Sequence, residues 1–221
     1  MTYTLYIGNK RYSSWSMRPW ILLKALNIPF VENVNFFKDG PTQPHFFAFS
    51  PTGKVPCLHD NDDDDDNDES GSRVIWDSFS ITEYVAESHA GVWPVDATAR
   101  AWARSAAAEM HSGFFALREE CYLNVALRIQ LGTPSEPLQR DINRLDALFR
   151  DGIERFGGPW LAGREFTAVD AFFAPVASRC KTFGVRLGSE AARGYVDRLF
   201  AHPAVQEWVE GGSLRRGGWR V

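Results

Sequence analysis

The chain has 221 residues, 44% of them apolar, with 8 Trp and 16 Phe, a composition that makes a packed globular protein and excludes a disordered one. Its net charge of −4 is unevenly spread: eight acidic residues lie between Asp60 and Glu69, and setting those eight aside turns the remainder to +4. The basic residues are scattered rather than gathered in a stripe, which excludes a nucleic-acid surface and suits a small anionic ligand. No apolar run approaches the roughly 20 residues of a membrane-spanning helix.

Residues 3–7 alternate as a strand does, and the start of the chain lacks the basic segment and small-residue cleavage site of a signal peptide. Pro19, Leu22, Leu23 and Leu26 recur at helical spacing and predict a helix over 16–27, whose early proline is harmless because first-turn amides have no intrahelical partner. Asn27-Ile28-Pro29 ends it, 30–36 reads as a second strand, and 38–50 is irregular with an aromatic cluster. Two short strands follow at 54–59 and 73–76, and Asp77 caps a helix to about residue 89. The acidic tract occupies the turn of this last hairpin and reads as a solvated insertion; it lacks the glycine and closing glutamate of a calcium-binding loop. From residue 97 helical patterns dominate, over 97–131, 136–156, 168–185, 190–200 and 204–210. The change predicts two packed units, an α/β domain over 1–90 and an all-helical domain over 97–221.

Three loops carry chemistry. The first, Tyr12-Ser13-Ser14-Trp15-Ser16, joins a strand to a helix N-terminus, where unpaired amides and the helix dipole favour anions and lower the pKa of a nearby thiol. With no His or carboxylate close in sequence, these serines are weak nucleophiles; they either cap the helix or donate a hydrogen bond to a ligand's thiolate. In the second, Ser50-Pro51-Thr52-Gly53-Lys54-Val55-Pro56, a proline leads into a strand, which a cis Val55-Pro56 bond accommodates while leaving the Val55 backbone to pair with a peptide-like ligand. The third is Trp76-Asp77-Ser78, a strand ending in a capped helix whose amides suit a carboxylate. The five histidines have no metal-ligand spacing, and Cys57, Cys121 and Cys180 form no CxxC pair, which favours a reducing compartment and a cytoplasmic location.

Taken together, the serine turn, the S-P-x-x-x-V-P stretch ending at Pro56, the Asp77-Ser78 pair, and a capping box at Thr167 and Asp170 behind Phe166 resemble the cytosolic glutathione transferase family, in its serine-type, zeta- or theta-like form. Trp15 departs from the zeta pattern, which has cysteine there. The resemblance implies a thioredoxin-like βαβ-ββα domain with a mixed four-stranded sheet, an all-α helical bundle behind it, glutathione as co-substrate, no metal, a small hydrophobic electrophile and a homodimer. By position, Ser13 holds the glutathione sulfur, with Ser14 the nearest alternative and Tyr12 a rival. Val55, with cis Pro56, pairs with the cysteinyl backbone. Asp77 and Ser78 hold the γ-glutamyl end, and Lys54 and His45 are candidates for the glycyl carboxylate. Arg18 reads as a structural residue of the first turn. The electrophile pocket is expected between the domains, lined by Trp15, Met110, His111, Phe114, Phe115 and Tyr122. A binding or assembly module without catalysis is the alternative function.

Overall fold

The computed structural model describes residues 3–61 and 73–214. Four strands, β1 (Tyr3–Ile7), β2 (Phe30–Val34), β3 (Cys57–Asp60) and β4 (Arg73–Trp76), form one sheet in the order β2-β1-β3-β4. β1 pairs parallel with β2, and β3 pairs antiparallel with both β1 and β4. The parallel pair requires a crossover, supplied by α1 (Ser14–Ala25); the antiparallel pair needs only a turn, and α2 (Ser78–Ser88) follows β4. This is a thioredoxin-like domain. In β1 the alternation that marked it as a strand is literal: Tyr3, Leu5 and Ile7 are buried, and Tyr6, on the other face, stacks on Phe49 at 4.5 Å. Of the acidic tract only Asp60 belongs to the described residues; it closes β3 and accepts a hydrogen bond from the Tyr84 hydroxyl at 2.8 Å.

Six helices follow: α3 (Ala97–Ser112), α4 (Phe115–Glu120), α5 (Glu136–Phe156), α6 (Ala168–Phe183), α7 (Glu190–Ala201) and α8 (Pro203–Ser213). α6 is the axis of this part, buried along nearly its whole length, and packs against α1, α3 and α7. Its start is the expected capping box. The Asp170 carboxylate accepts from the Thr167 amide at 2.9 Å, and also from the Leu161 amide and the Tyr195 hydroxyl at 3.1 Å each.

The helix expected over 97–131 is a correction. α3 stops at Ser112 because Gly113 is extended and Phe114 is left-handed, with φ 58°. Arg118 folds back to cover the exposed carbonyls, donating from Nε to Gly113 at 2.9 Å and from Nη2 to Met110. Beyond α4 the amides are engaged elsewhere: Val125 donates to Arg11, Ile129 to Thr182 and Leu131 to Phe183. Apolar composition persists through 121–131, yet the amides of Val125, Ile129 and Leu131 bond to distant parts of the chain. Smaller shifts have local causes. α1 begins at Ser14 because Ser13 is its cap, and β3 begins at Cys57, after the proline that cannot donate to a ladder. α6 ends before Gly184, a left-handed cap at φ 65°.

Candidate functional site

The register of the sheet brings the three loops to one end. Tyr6 of β1 pairs with Cys57 of β3, which pairs with Trp76 of β4. Because β3 runs opposite to its neighbours, the segment after β1, the segment before β3 and the segment after β4 all leave the sheet together. They are the serine turn, the Val55-Pro56 pair and Asp77-Ser78. Val55-Pro56 is cis. Among the described residues no hydrogen bond engages the Val55 backbone, and Val55 is half-buried.

The serine turn is closed by Asn9, whose carbonyl accepts from the amides of Tyr12 at 3.0 Å and Ser13 at 2.9 Å. Ser13 is buried and fully used. Its hydroxyl donates to Ser16 Oγ at 2.7 Å and accepts from the Ser16 amide, while Ser16 Oγ in turn accepts from the Gly8 amide at 3.1 Å. A Cβ at Gly8 would meet the tip of the Phe37 ring at 2.5 Å, so the glycine lets that ring lie over the turn. Ser14, one residue on, has no side-chain hydrogen bond among the described residues, so its hydroxyl remains available at the N-terminus of α1.

At the start of α2, Asp77 Oδ1 accepts from the amides of Phe79 at 2.7 Å and Ser80 at 3.4 Å, holding Asp77 at φ 74°. The Ser78 amide has no partner among the described residues, as expected of a first-turn donor. Asp77 Oδ2 faces His111 Nε2 of α3 at 3.4 Å, and His111 Nδ1 lies 3.5 Å from Arg18 Nη1, which also donates to Ser78 Oγ at 3.5 Å. His111 is held below its usual pKa by burial, against the pull of Asp77, with Arg18 and Arg118 adding repulsion. A polar chain thus ties α1, α2 and α3 together under the site.

Arg18 is the unexpected member. Its guanidinium is fully enclosed, with its carbon 4.3 Å from the Trp15 ring centre and 5.0 Å from that of Phe172; Arg118 lies 4.8 Å from Trp15. Arg18 Nε and Nη2 and Arg179 Nη1 are buried without a hydrogen-bond partner among the described residues. Burial, then Arg118 and Arg179, drive the Arg18 pKa well below the usual guanidinium range; burial, then Arg118, brings Arg179 down to about 10. Sequence reasoning reached Arg18 only as a first-turn structural residue and passed over Arg118, Arg179 and Phe172. Nothing in sequence joins positions 18, 118 and 179; the one local signal is a basic residue just past a helix end, for Arg118.

The remaining expected residues scatter. Trp15 is 37% exposed and meets His111 edge-on at 5.2 Å, so these two stand at the site. Met110 and Phe114 are core residues, Phe115 points to solvent at 73% exposure, and Tyr122 packs on Phe183 at 5.3 Å. Lys54 is exposed, and His45, in a short 3-10 helix (Pro44–Ala48), bonds through Nε2 to the Phe36 carbonyl at 3.1 Å. Tyr12 is partly exposed beside the turn. The three cysteines are free and buried, and burial pushes Cys57 and Cys121 up to about 11 and Cys180 to about 12, which makes them inert thiols. Among the described residues no group of three or more His, Cys, Asp or Glu is placed to hold a metal, and no helix is long and apolar enough to cross a membrane.

Comparison with known proteins agrees with this architecture. Residues 12–88 match the family model of the glutathione S-transferase N-terminal domain. A glutathione transferase homolog from Burkholderia GL BGR1, solved with bound glutathione, is 24% identical, with 95% of this chain and 97% of that one covered and a TM-score of 0.65. The Tau class enzyme MiGSTU from mango, Mangifera indica, is 21% identical over 96% of this chain and 95% of its own, with a TM-score of 0.66. Ure2p in complex with S-hexylglutathione is 19% identical over 94% and 97%, with a TM-score of 0.65. No curated protein sequence matches the chain. The chain therefore has the two-part fold of the glutathione transferases, and its first part carries their N-terminal sequence pattern.

Proposed function

We propose that this protein is a glutathione transferase that joins glutathione to, or isomerises with its help, a small hydrophobic electrophile. The observation that carries the reading is the aligned row Tyr6, Cys57 and Trp76, from which the serine turn, the cis Val55-Pro56 pair and the α2 N-terminus leave the sheet on one side. The spacing suits a small peptide. The unpartnered Ser78 amide and the α2 dipole hold the γ-glutamyl carboxylate, Asp77 faces its ammonium, and the Val55 backbone pairs with the cysteinyl residue. Lys54 and His45 serve the glycyl carboxylate, with Lys54 the donor, since the His45 Nε2–H is given to the Phe36 carbonyl.

The sulfur then lies at the N-terminus of α1. Ser14 is the donor in this reading, because the Ser13 proton is already committed to Ser16 at 2.7 Å. The thiol proton leaves to solvent. The Ser14 hydroxyl, the helix dipole and the positive field of Arg18 and Arg118 hold the thiolate. Its electron pair forms the S–C bond beside Trp15 as a leaving group departs with its own pair or, in an addition, as a conjugated π bond opens and takes a proton from solvent. Domain roles follow: residues 1–90 bind glutathione and residues 97–221 shape the electrophile side. Three free thiols suit a reducing compartment, and a homodimer is part of the same reading.

Calorimetric titration with glutathione tests binding, and ultraviolet absorbance of the bound thiolate together with a conjugation assay tests chemistry. Ser14→Ala is expected to keep affinity within a few fold and to lose thiolate and about 10²-fold in kcat. Ser13→Ala is expected to lose about 1 kcal/mol of stability as a missing cap, with the smaller effect on turnover. Absence of glutathione binding sinks the reading, binding without turnover towards any electrophile leaves the module without catalysis, and the reverse serine pattern reassigns the donor.

A further inference from the structure

The arginine cluster is larger than glutathione alone requires. Arg118 on α4 and Arg179 on α6 stand close enough to depress Arg18 on α1, and Arg118 to depress Arg179, and among the described residues none of the three forms an ion pair. Two carboxylates act on the cluster from a distance, and each has another task. Asp77 caps α2 and faces His111, and Asp141 accepts from the Leu117 amide at 3.0 Å. Buried guanidinium groups are ordinarily paired, since an uncompensated charge in a low-dielectric interior is costly.

The three members differ in what they can touch. The unpartnered nitrogens of Arg18 and Arg179 are sealed from solvent, so these two act through their field. Arg118 is half-buried. Its Nε and Nη2 are fixed by the carbonyls that end α3, and its Nη1 has no partner among the described residues. Its guanidinium carbon is 4.8 Å from the ring of Trp15, itself next to Ser14. An anion held on Nη1 therefore lies near Trp15, on a residue contributed by α4 rather than by the loops of the sheet.

We infer that the electrophile subsite selects substrates carrying a carboxylate, which docks on Arg118 at the edge of Trp15 with Arg18 and Arg179 behind it. The inference rests on the glutathione reading and sharpens its substrate class from a hydrophobic electrophile to an anionic one with an apolar body. The ring of Trp15 supports the body, and the arginines supply the counter-charge. The glutathione thiolate is the competing source of negative charge for the same arginines.

A pair of ligands separates these sources: S-benzylglutathione and S-(4-carboxybenzyl)glutathione, which share the tripeptide, lack a thiolate and differ by one carboxylate. Titration calorimetry on the full chain is expected to show the carboxylated conjugate binding about ten-fold tighter, an advantage that shrinks as salt is raised. Arg118→Met is expected to erase the advantage and Arg118→Lys to keep part of it. Because Arg118 also caps α3, circular dichroism and thermal melts accompany both variants, and the wild-type salt series stands without them. Equal affinities in the wild type overturn the inference while leaving the glutathione reading intact. An advantage that survives in folded Arg118→Met also overturns it. If neither conjugate binds, the glutathione reading itself falls and takes the inference with it.

Discussion

Asp170 and Arg18 are charged side chains enclosed within neighbouring helices, and they are treated in opposite ways. Asp170, in the first turn of α6, is surrounded by donors from Thr167, Leu161 and Tyr195. Arg18, in the first turns of α1, is given a hydroxyl and an imidazole at 3.5 Å for one nitrogen and nothing for the other two. Burial pushes the Asp170 carboxyl up to about 6 while its hydrogen bonds pull the other way; Arg18 has burial and two other arginines acting against it. A satisfied buried charge pins a segment, here the 161–170 loop onto α6. An unsatisfied one stores electrostatic potential that only a ligand can relieve.

The contrast is breakable by mutation. Asp170→Ala strands the Tyr195 hydroxyl and two amides, and about 3–5 kcal/mol of unfolding free energy is expected to go, read from denaturant melts. A loss under about 1 kcal/mol would mean that the network adds no more than its volume. Arg18→Met is expected to do the reverse: stability within about 1 kcal/mol of wild type or above it, with kcat/KM down about ten- to a hundred-fold. If that variant unfolds while Asp170→Ala tolerates its change, the two roles are exchanged. Tyr195→Phe removes one of several donors and sharpens the comparison, with a cost of about 1 kcal/mol expected in the same melts.

The smallest effect concerns pH. The folded pKa of His111 is lowered, so the unfolded chain binds the proton more readily, and stability from this group is complete above pH about 6.5 and lost as pH falls below it. His111→Gln should therefore flatten the decline in melting temperature between neutral and mildly acid pH, by under about 1 kcal/mol. An unchanged slope would place the decline in other groups, His202 among them, whose pKa burial also lowers.

Much of this was legible in sequence because it is local. Alternation at 3–7, the spacing of Leu22, Leu23 and Leu26, the proline at 56 and the Thr167–Asp170 pair each report on a few neighbouring residues, and all four recur in the structure. What stayed hidden depends on contacts across the chain. Residues 121–131 have helical composition, and the amides of Val125, Ile129 and Leu131 go to Arg11, Thr182 and Phe183 instead. The choice between Ser13 and Ser14 turns on a hydroxyl rotor committed to Ser16, and the arginine cluster assembles from positions far apart in the chain, 18, 118 and 179.

The break after α3 has a consequence for how charge is kept at the site. Arg118 is fixed by the carbonyls of Met110, His111 and Gly113, which are dipoles without net charge. They lock the orientation of the guanidinium and offset only part of its charge, since a helix C-terminus acts as about half a negative charge. A carboxylate in their place would anchor the side chain as firmly and cancel its field. The end of a helix here works as a mount that grips a cation and leaves it with a net positive charge.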